Sequence, residues 1–191
     1  MKKYLEKYAL FLHKKFGITP NGLTYIRIFA APWLALLISE IIRNKNFLLV
    51  IITLILYFKI ISTDFLDGIL ARALPKNDHI RGGMLDRLAD KILIIFLLIP
   101  FGLNLFTFLI ISGESILALE ALYAPNEKKQ AGMPGKIKMI LQTFLIPILI
   151  LQIVANIIPD IFVYFYIILT IIATGYSVYS HFTDYFYFKN E

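Results

Sequence analysis

The sequence predicts an all-α integral membrane protein: six transmembrane helices plus an N-terminal amphipathic surface helix. Three observations carry that expectation. Hydrophobic residues make up 59% of the chain and charged ones only 17%, against about a quarter charged in an ordinary soluble domain. The mean hydropathy is +0.74. The apolar residues are also gathered into stretches close to the ~20 residues that cross a hydrocarbon core. A water-soluble fold of 191 residues cannot hide that much apolar side chain, which argues against a soluble enzyme or a nucleic-acid-binding domain. The net charge of +6 comes from Lys and Arg placed between the apolar runs, a placement that suits an anionic membrane surface or phosphate ligands and not nucleic acid. With no cysteine there is no disulfide, thiolate nucleophile or Cys-based metal site. The length suits a single domain, residues 1–191, with 1–16 as a juxtamembrane helix.

Residues 1–16 read MKKYLEKYALFLHKKF. Tyr4, Leu5, Tyr8, Leu10, Phe11 and Leu12 mix with lysines at roughly helical spacing, as in a helix lying on the cytoplasmic leaflet. The alternative is a basic tether that only sets topology. The segment lacks the apolar run and small-residue cleavage site of a signal peptide. Spans are then expected over Leu23–Ile42, Phe47–Asp67, Met84–Phe101, Leu105–Tyr123, Met139–Ile158 and Ile161–Phe182. The connections after the first, third and fifth are short: Arg43–Asn46, Gly102–Asn104 and Pro159–Asp160. Those after the second and fourth, Ile69–Gly83 and Ala124–Lys138, are longer and polar. Thirteen of the nineteen Lys and Arg residues fall on the side of the termini and longer connections, and two, Arg43 and Lys45, on the other. The positive-inside rule therefore makes both termini cytoplasmic. The aromatic end, His181–Phe188, reads as an interfacial belt.

Four of the thirteen acids stand apart. Asp64 and Asp67 are three residues apart at the end of the second span. Asp86 and Asp90 are four apart at the start of the third. At about 100° per residue each pair shares a helix face, and two antiparallel spans joined by a loop let the pairs meet. Carboxylates near hydrocarbon are costly, and four together repel one another. A divalent cation, or two, resolves both problems; an all-oxygen donor set suits Mg²⁺, Mn²⁺ or Ca²⁺ and disfavours zinc. Helix capping at a water interface is the alternative, but capping does not require the pairs to converge. Gly68 and Ala71 lie beside the first pair, Gly82 and Gly83 before the second, and Arg72 is placed to neutralise a phosphate. Carboxylate-held metal, an arginine and a small-residue platform describe a phosphoryl-transfer site.

Asp64-Phe-Leu-Asp67-Gly68-Ile-Leu-Ala71-Arg72, nine residues, then Gly82-Gly-Met-Leu-Asp86-Arg-Leu-Ala-Asp90 resembles the signature of the CDP-alcohol phosphatidyltransferases, most closely their phosphatidylglycerophosphate synthase-like members. The spacer is one residue longer than the common one, and Arg87 stands where a proline is frequent. The resemblance implies an enzyme of phospholipid biosynthesis. It would transfer a phosphatidyl group from a CDP-diacylglycerol-type lipid to a small alcohol and release CMP. It implies that Asp64, Asp67, Asp86 and Asp90 hold a two-metal centre of Mg²⁺ or Mn²⁺, and that Gly68, Ala71 and Arg72 cradle the CDP donor. Asp90 would also serve as general base, and the chain would be a homodimer among membrane lipids.

Pro20-Asn21-Gly22-Leu23-Thr24-Tyr25-Ile26-Arg27 is similar to the stretch that opens many family members. There Asn21 and Thr24 would bond the nucleotide and Arg27 a phosphate; the alternative is an N-cap at Asn21 and a snorkelling Arg27. Gly135-Lys136-Ile-Lys138 is also similar to a stretch in the synthase-like members. Its i,i+2 lysines do not share a face, so one would reach the pocket and the other the headgroups. With Arg81 they form the expected acceptor site, for a phosphorylated alcohol with glycerol 3-phosphate first and inositol phosphate second; ordinary positive-inside lysines are the alternative. Glu114, within the fourth span, must be protonated or paired. None of His13, His79 and His181 reads as a metal ligand. The rival from another class is a divalent-cation transporter, which would place its acids near the midplane between repeats.

Overall fold

The structure is a computed structural model that describes residues 19–73, 79–123 and 133–189, with positions 11, 13, 15 and 17 before them. The side chains of 71–73, 79–83 and 184–189 lie outside the described ones. From residue 19 on, six α-helices follow one another among the described residues: α1 (Pro20–Asn44), α2 (Phe47–Ala73), α3 (His79–Leu98), α4 (Leu105–Tyr123), α5 (Met133–Ala155) and α6 (Asp160–Lys189), with a short 3₁₀ turn, Ile99–Phe101, after α3. The expected surface helix over 1–16 lies largely outside the described residues; Phe11, His13 and Lys15 within it are helical.

The helix ends follow from local chemistry. At the start of α1 the cap is Thr19, not Asn21: its side-chain oxygen accepts from Gly22 N at 3.1 Å, and Pro20 opens the first turn, where its missing N–H costs nothing. Lys45 ends α1 in the left-handed region at φ 50°, and one residue later Asn46 Oδ1 accepts from Leu48 N and Leu49 N to start α2. Asn104 does the same for α4, accepting from Phe106 N and Thr107 N. Asn156, at φ 50°, stops α5 three residues short of the expected Ile158; asparagine tolerates that conformation better than most side chains. At their other ends α3 and α5 begin five and six residues before the expected Met84 and Met139, because backbone pairing continues after apolar character stops.

Among the described residues, five helices are long and apolar enough to cross a membrane: α1, α2, α4, α5 and α6. At 20 residues, α3 has the length, about 30 Å at 1.5 Å per residue. It carries Arg81, Asp86, Arg87, Asp90 and Lys91, however, and only Ile92–Ile99 is an unbroken apolar run. The outward faces of the apolar helices are themselves apolar, as lipid contact requires; Phe29 and Trp33 are each 70% exposed. Inward, α1 buries Leu23, Thr24, Arg27, Ala31, Leu34, Ile38 and Ile41, one stripe at spacings of three and four.

The packing divides into two triplets. In the first, α1 lies against both α2 and α3; in the second, α6 lies against both α4 and α5; the α3–α4 contact joins them. Pro147 inside α5 cannot donate to the carbonyl of Thr143 four residues back. Tyr57 of α2 supplies the missing donor, its hydroxyl 2.7 Å from Thr143 O. In hydrocarbon such a freed carbonyl must find a partner inside the protein, and here that need ties the first triplet to the second.

Candidate active site

The four aspartates meet in the first triplet around one side chain. Asp64 and Asp67 project from α2, Asp86 and Asp90 from α3, and Arg27 enters from α1. The guanidinium donates from Nη1 to Asp64 Oδ1 at 3.2 Å and Asp86 Oδ1 at 3.1 Å. It also pairs with Asp90 through Nη1 and with Asp67 through Nη2. Arg27 has no exposed surface. The side chain therefore does not snorkel to the interface, and its partners here are the four carboxylates. Its Nε is buried with no hydrogen-bond partner among the described residues.

The donor set fits a hard divalent cation. Asp64, Asp67 and Asp86 bring one carboxylate oxygen each within 4.8 Å of one another, close enough to share an ion that takes oxygen ligands at about 2.0–2.6 Å. Four carboxylates against one guanidinium leave a formal charge of −3 on these five residues. Arg27 alone does not offset it, and divalent cations would.

Beside the cluster a cavity of about 130 Å³ opens between the two triplets. One water needs roughly 10–15 Å³ by such a measure, so there is room for a small molecule. The first triplet contributes Arg27, Asp64, Arg87, Asp90 and Lys91 to its wall; the second contributes Glu114, Lys138, Gln142, Ser177 and His181. Of the aspartates, Asp64 and Asp90 line this space, whereas Asp67 and Asp86 do not.

The second triplet's polar groups are bonded together. Glu114 is 1% exposed. Its Oε1 accepts from Lys138 Nζ at 2.7 Å and from Gln142 Nε2 at 2.6 Å, and its Oε2 from the same Nζ at 3.0 Å. Glu114 is thus paired, and its partner is Lys138. At the rim His181 Nδ1 lies 2.8 Å from Glu120 Oε2.

Other expected site residues are more dispersed. Lys138 reaches the cavity, whereas Lys136 is exposed and outside its lining. Asn21 and Thr24 lie on the first turns of α1, away from the lining, and the Thr24 hydroxyl donates to Pro20 O at 3.2 Å. Gly68 follows Asp67 on α2. Ala71, Arg72 and Arg81 are on helices, but their side chains lie outside the described ones. Sequence reasoning missed Arg87, Lys91 and Gln142 as cavity residues. The available signal was position: Arg87 and Lys91 follow Asp86 and Asp90 by one residue each, and Gln142 follows Lys138 by four, one helical turn further along α5.

The sequence model for the CDP-alcohol phosphatidyltransferases matches residues 17–178. No curated protein matches the chain.

Proposed function

The chain belongs to the CDP-alcohol phosphatidyltransferase family, and from that premise we propose that its acceptor is a phosphorylated small alcohol. Family membership implies transfer of a phosphatidyl group from a CDP-lipid to an alcohol, which leaves the divalent-cation transporter reading without support. The acceptor oxygen attacks the lipid-side phosphorus of the diphosphate, the phosphoanhydride bond breaks, CMP leaves, and the acceptor's proton is taken by a base. Asp90 is our choice of base, supported by its place on the cavity wall beside Asp64. Asp64, Asp67, Asp86 and Asp90 would hold Mg²⁺ or Mn²⁺, which when bound stabilises charge on the reacting phosphate. Gly68, Ala71, Arg72, Asn21 and Thr24 remain our candidates for the CDP donor.

One observation carries the acceptor reading: the cavity that reaches Asp64 and Asp90 also holds Arg87, Lys91 and Lys138. Arg27 is surrounded by the aspartates and Lys138 is paired with Glu114, and Arg87 and Lys91, whose Nζ donates to Arg87 O at 3.2 Å, bring cationic side chains to the same wall. A neutral acceptor has no use for them. A phosphomonoester does, because the centre already carries carboxylates and the donor diphosphate. Glycerol 3-phosphate is the first candidate and inositol phosphate the second. Lys136, exposed and outside the lining, drops out of the proposed acceptor site. We also place α3 as a sixth crossing and the centre at the cytoplasmic face with both termini, supported by the thirteen-to-two distribution of basic residues. The homodimer rests on the family resemblance alone.

CMP release from CDP-diacylglycerol with paired acceptors tests the proposal. Glycerol 3-phosphate should be used far better than glycerol, and inositol phosphate better than inositol if that is the substrate. Equal rates within both pairs would refute it.

A further inference from the structure

The polar cluster on the second triplet has a definite remaining hydrogen-bonding capacity. A carboxylate offers about four lone-pair sites and an ammonium three N–H donors. Lys138 and Gln142 take two sites on Glu114 Oε1, and Lys138 takes one on Oε2. Among the described residues one site on Oε2 and one N–H of Lys138 remain, on adjacent atoms of residues that line the cavity. The carboxylate is also held in place. Gln142 Nε2 reaches Thr174 Oγ1 of α6 at 3.4 Å, and that hydroxyl donates to Thr170 O at 2.8 Å. A Cβ on Gly113 would meet Thr174 Cγ2 at 2.5 Å, so α4 and α6 are in close contact beside the cluster.

One acceptor beside one charged donor is complementary to an alcohol hydroxyl, which gives one hydrogen bond and receives another. It is a poor seat for a phosphate, because the carboxylate would face it. We infer that the Glu114–Lys138 pair reads a second, non-reacting hydroxyl of the acceptor, with the acceptor's phosphate on the Arg87 and Lys91 side, so that the substrate is a polyol phosphate. Gln142 is a positioning residue that fixes the Glu114 carboxylate. The inference rests on the acceptor reading above and adds to it a requirement for a particular hydroxyl.

Glycerol 3-phosphate and 3-hydroxypropyl phosphate differ only in that hydroxyl. With the purified full chain, CDP-diacylglycerol and Mg²⁺, wild type should prefer the first in kcat/KM by about 10- to 150-fold, the equivalent of one hydrogen bond to a charged group. In Glu114→Gln the preference should fall to near unity, with the CDP-lipid KM little changed. Because that change leaves a buried ammonium without its carboxylate, Glu114→Gln/Lys138→Met provides a neutral counterpart with the same expected collapse. Thermal stabilisation by CDP shows whether each variant is folded. Gln142→Leu keeps the ion pair and should lower the preference partway, an effect that a purely structural role would not produce. Equal use of the two acceptors by wild type, or a full preference in folded Glu114 variants, would overturn the inference. Glycerol against 1,3-propanediol repeats the comparison without phosphate. If the phosphorylated-acceptor proposal alone is wrong, the neutral pair is the one turned over, and the hydroxyl preference and its loss in Glu114→Gln appear there.

Discussion

Arg27 sets the character of the centre at the scale of single residues. One guanidinium gathers side chains from two other helices, and its burial is sustained only because four carboxylates surround it. Asp64, Asp67 and Asp86 can share an ion without Asp90, so Asp90→Asn should leave CDP-lipid binding largely intact. The chemical step should slow by about 10²–10⁴, the usual range for loss of a general base. Loss of donor binding together with turnover would make Asp90 a structural ligand instead. Arg72→Ala should weaken CDP-lipid binding by about 1.5–3 kcal/mol, the range for a hydrogen bond to a charged group; unchanged donor affinity, read by titration with CDP, would remove Arg72 from the site. The aspartates were legible in the sequence because acids in apolar surroundings stand out and their spacing puts each pair on one face. The partnership of Arg27 with all four was not, because it depends on how three helices pack and local spacing describes one helix at a time. Glu114 was legible as a buried acid needing a partner; that the partner is Lys138, across the loop between α4 and α5, was not.

Two close contacts between elements make specific demands. Tyr57→Phe would leave the Thr143 carbonyl, already without a donor because of Pro147, with no partner. The expected cost is about 1–3 kcal/mol, measured as a lower unfolding temperature in detergent; an unchanged temperature would mean that water or a shifted α5 satisfies the carbonyl. Gly113→Ala would push on Thr174, and overpacking of this kind costs about 1–3 kcal/mol. Because Thr174 supports Gln142, the same variant should also reduce acceptor use more than donor binding. Apolar stretches showed where the helices are, since lipid contact demands apolar character all round. They did not show where helices end: Thr19, Asn46, Asn104 and Asn156 decide that through hydrogen bonds and backbone conformation. Nor did they mark α3 as different, although its charged first half gives it a composition unlike the other five.

At the scale of the whole molecule, the two triplets divide the work. The first assembles the carboxylate centre and the second presents a neutralised polar cluster, with the cavity between them. The first was readable as a compact motif, residues 64–90. The second was not, because Glu114, Gln142 and Ser177 come from three helices and have no common spacing. Together the two triplets make this carboxylate centre the site we propose for a metal-dependent phosphatidyl transfer. The most direct test is CMP release from CDP-diacylglycerol, with glycerol 3-phosphate as acceptor, by the purified chain and by Asp64→Asn, Asp67→Asn and Asp86→Asn. Each rate should be read with Mg²⁺ or Mn²⁺ and with EDTA. Turnover is expected with the metal, none with the chelator, and loss of most activity in each variant; full turnover in EDTA, or aspartate variants that match wild type, would refute a metal-dependent centre at these carboxylates.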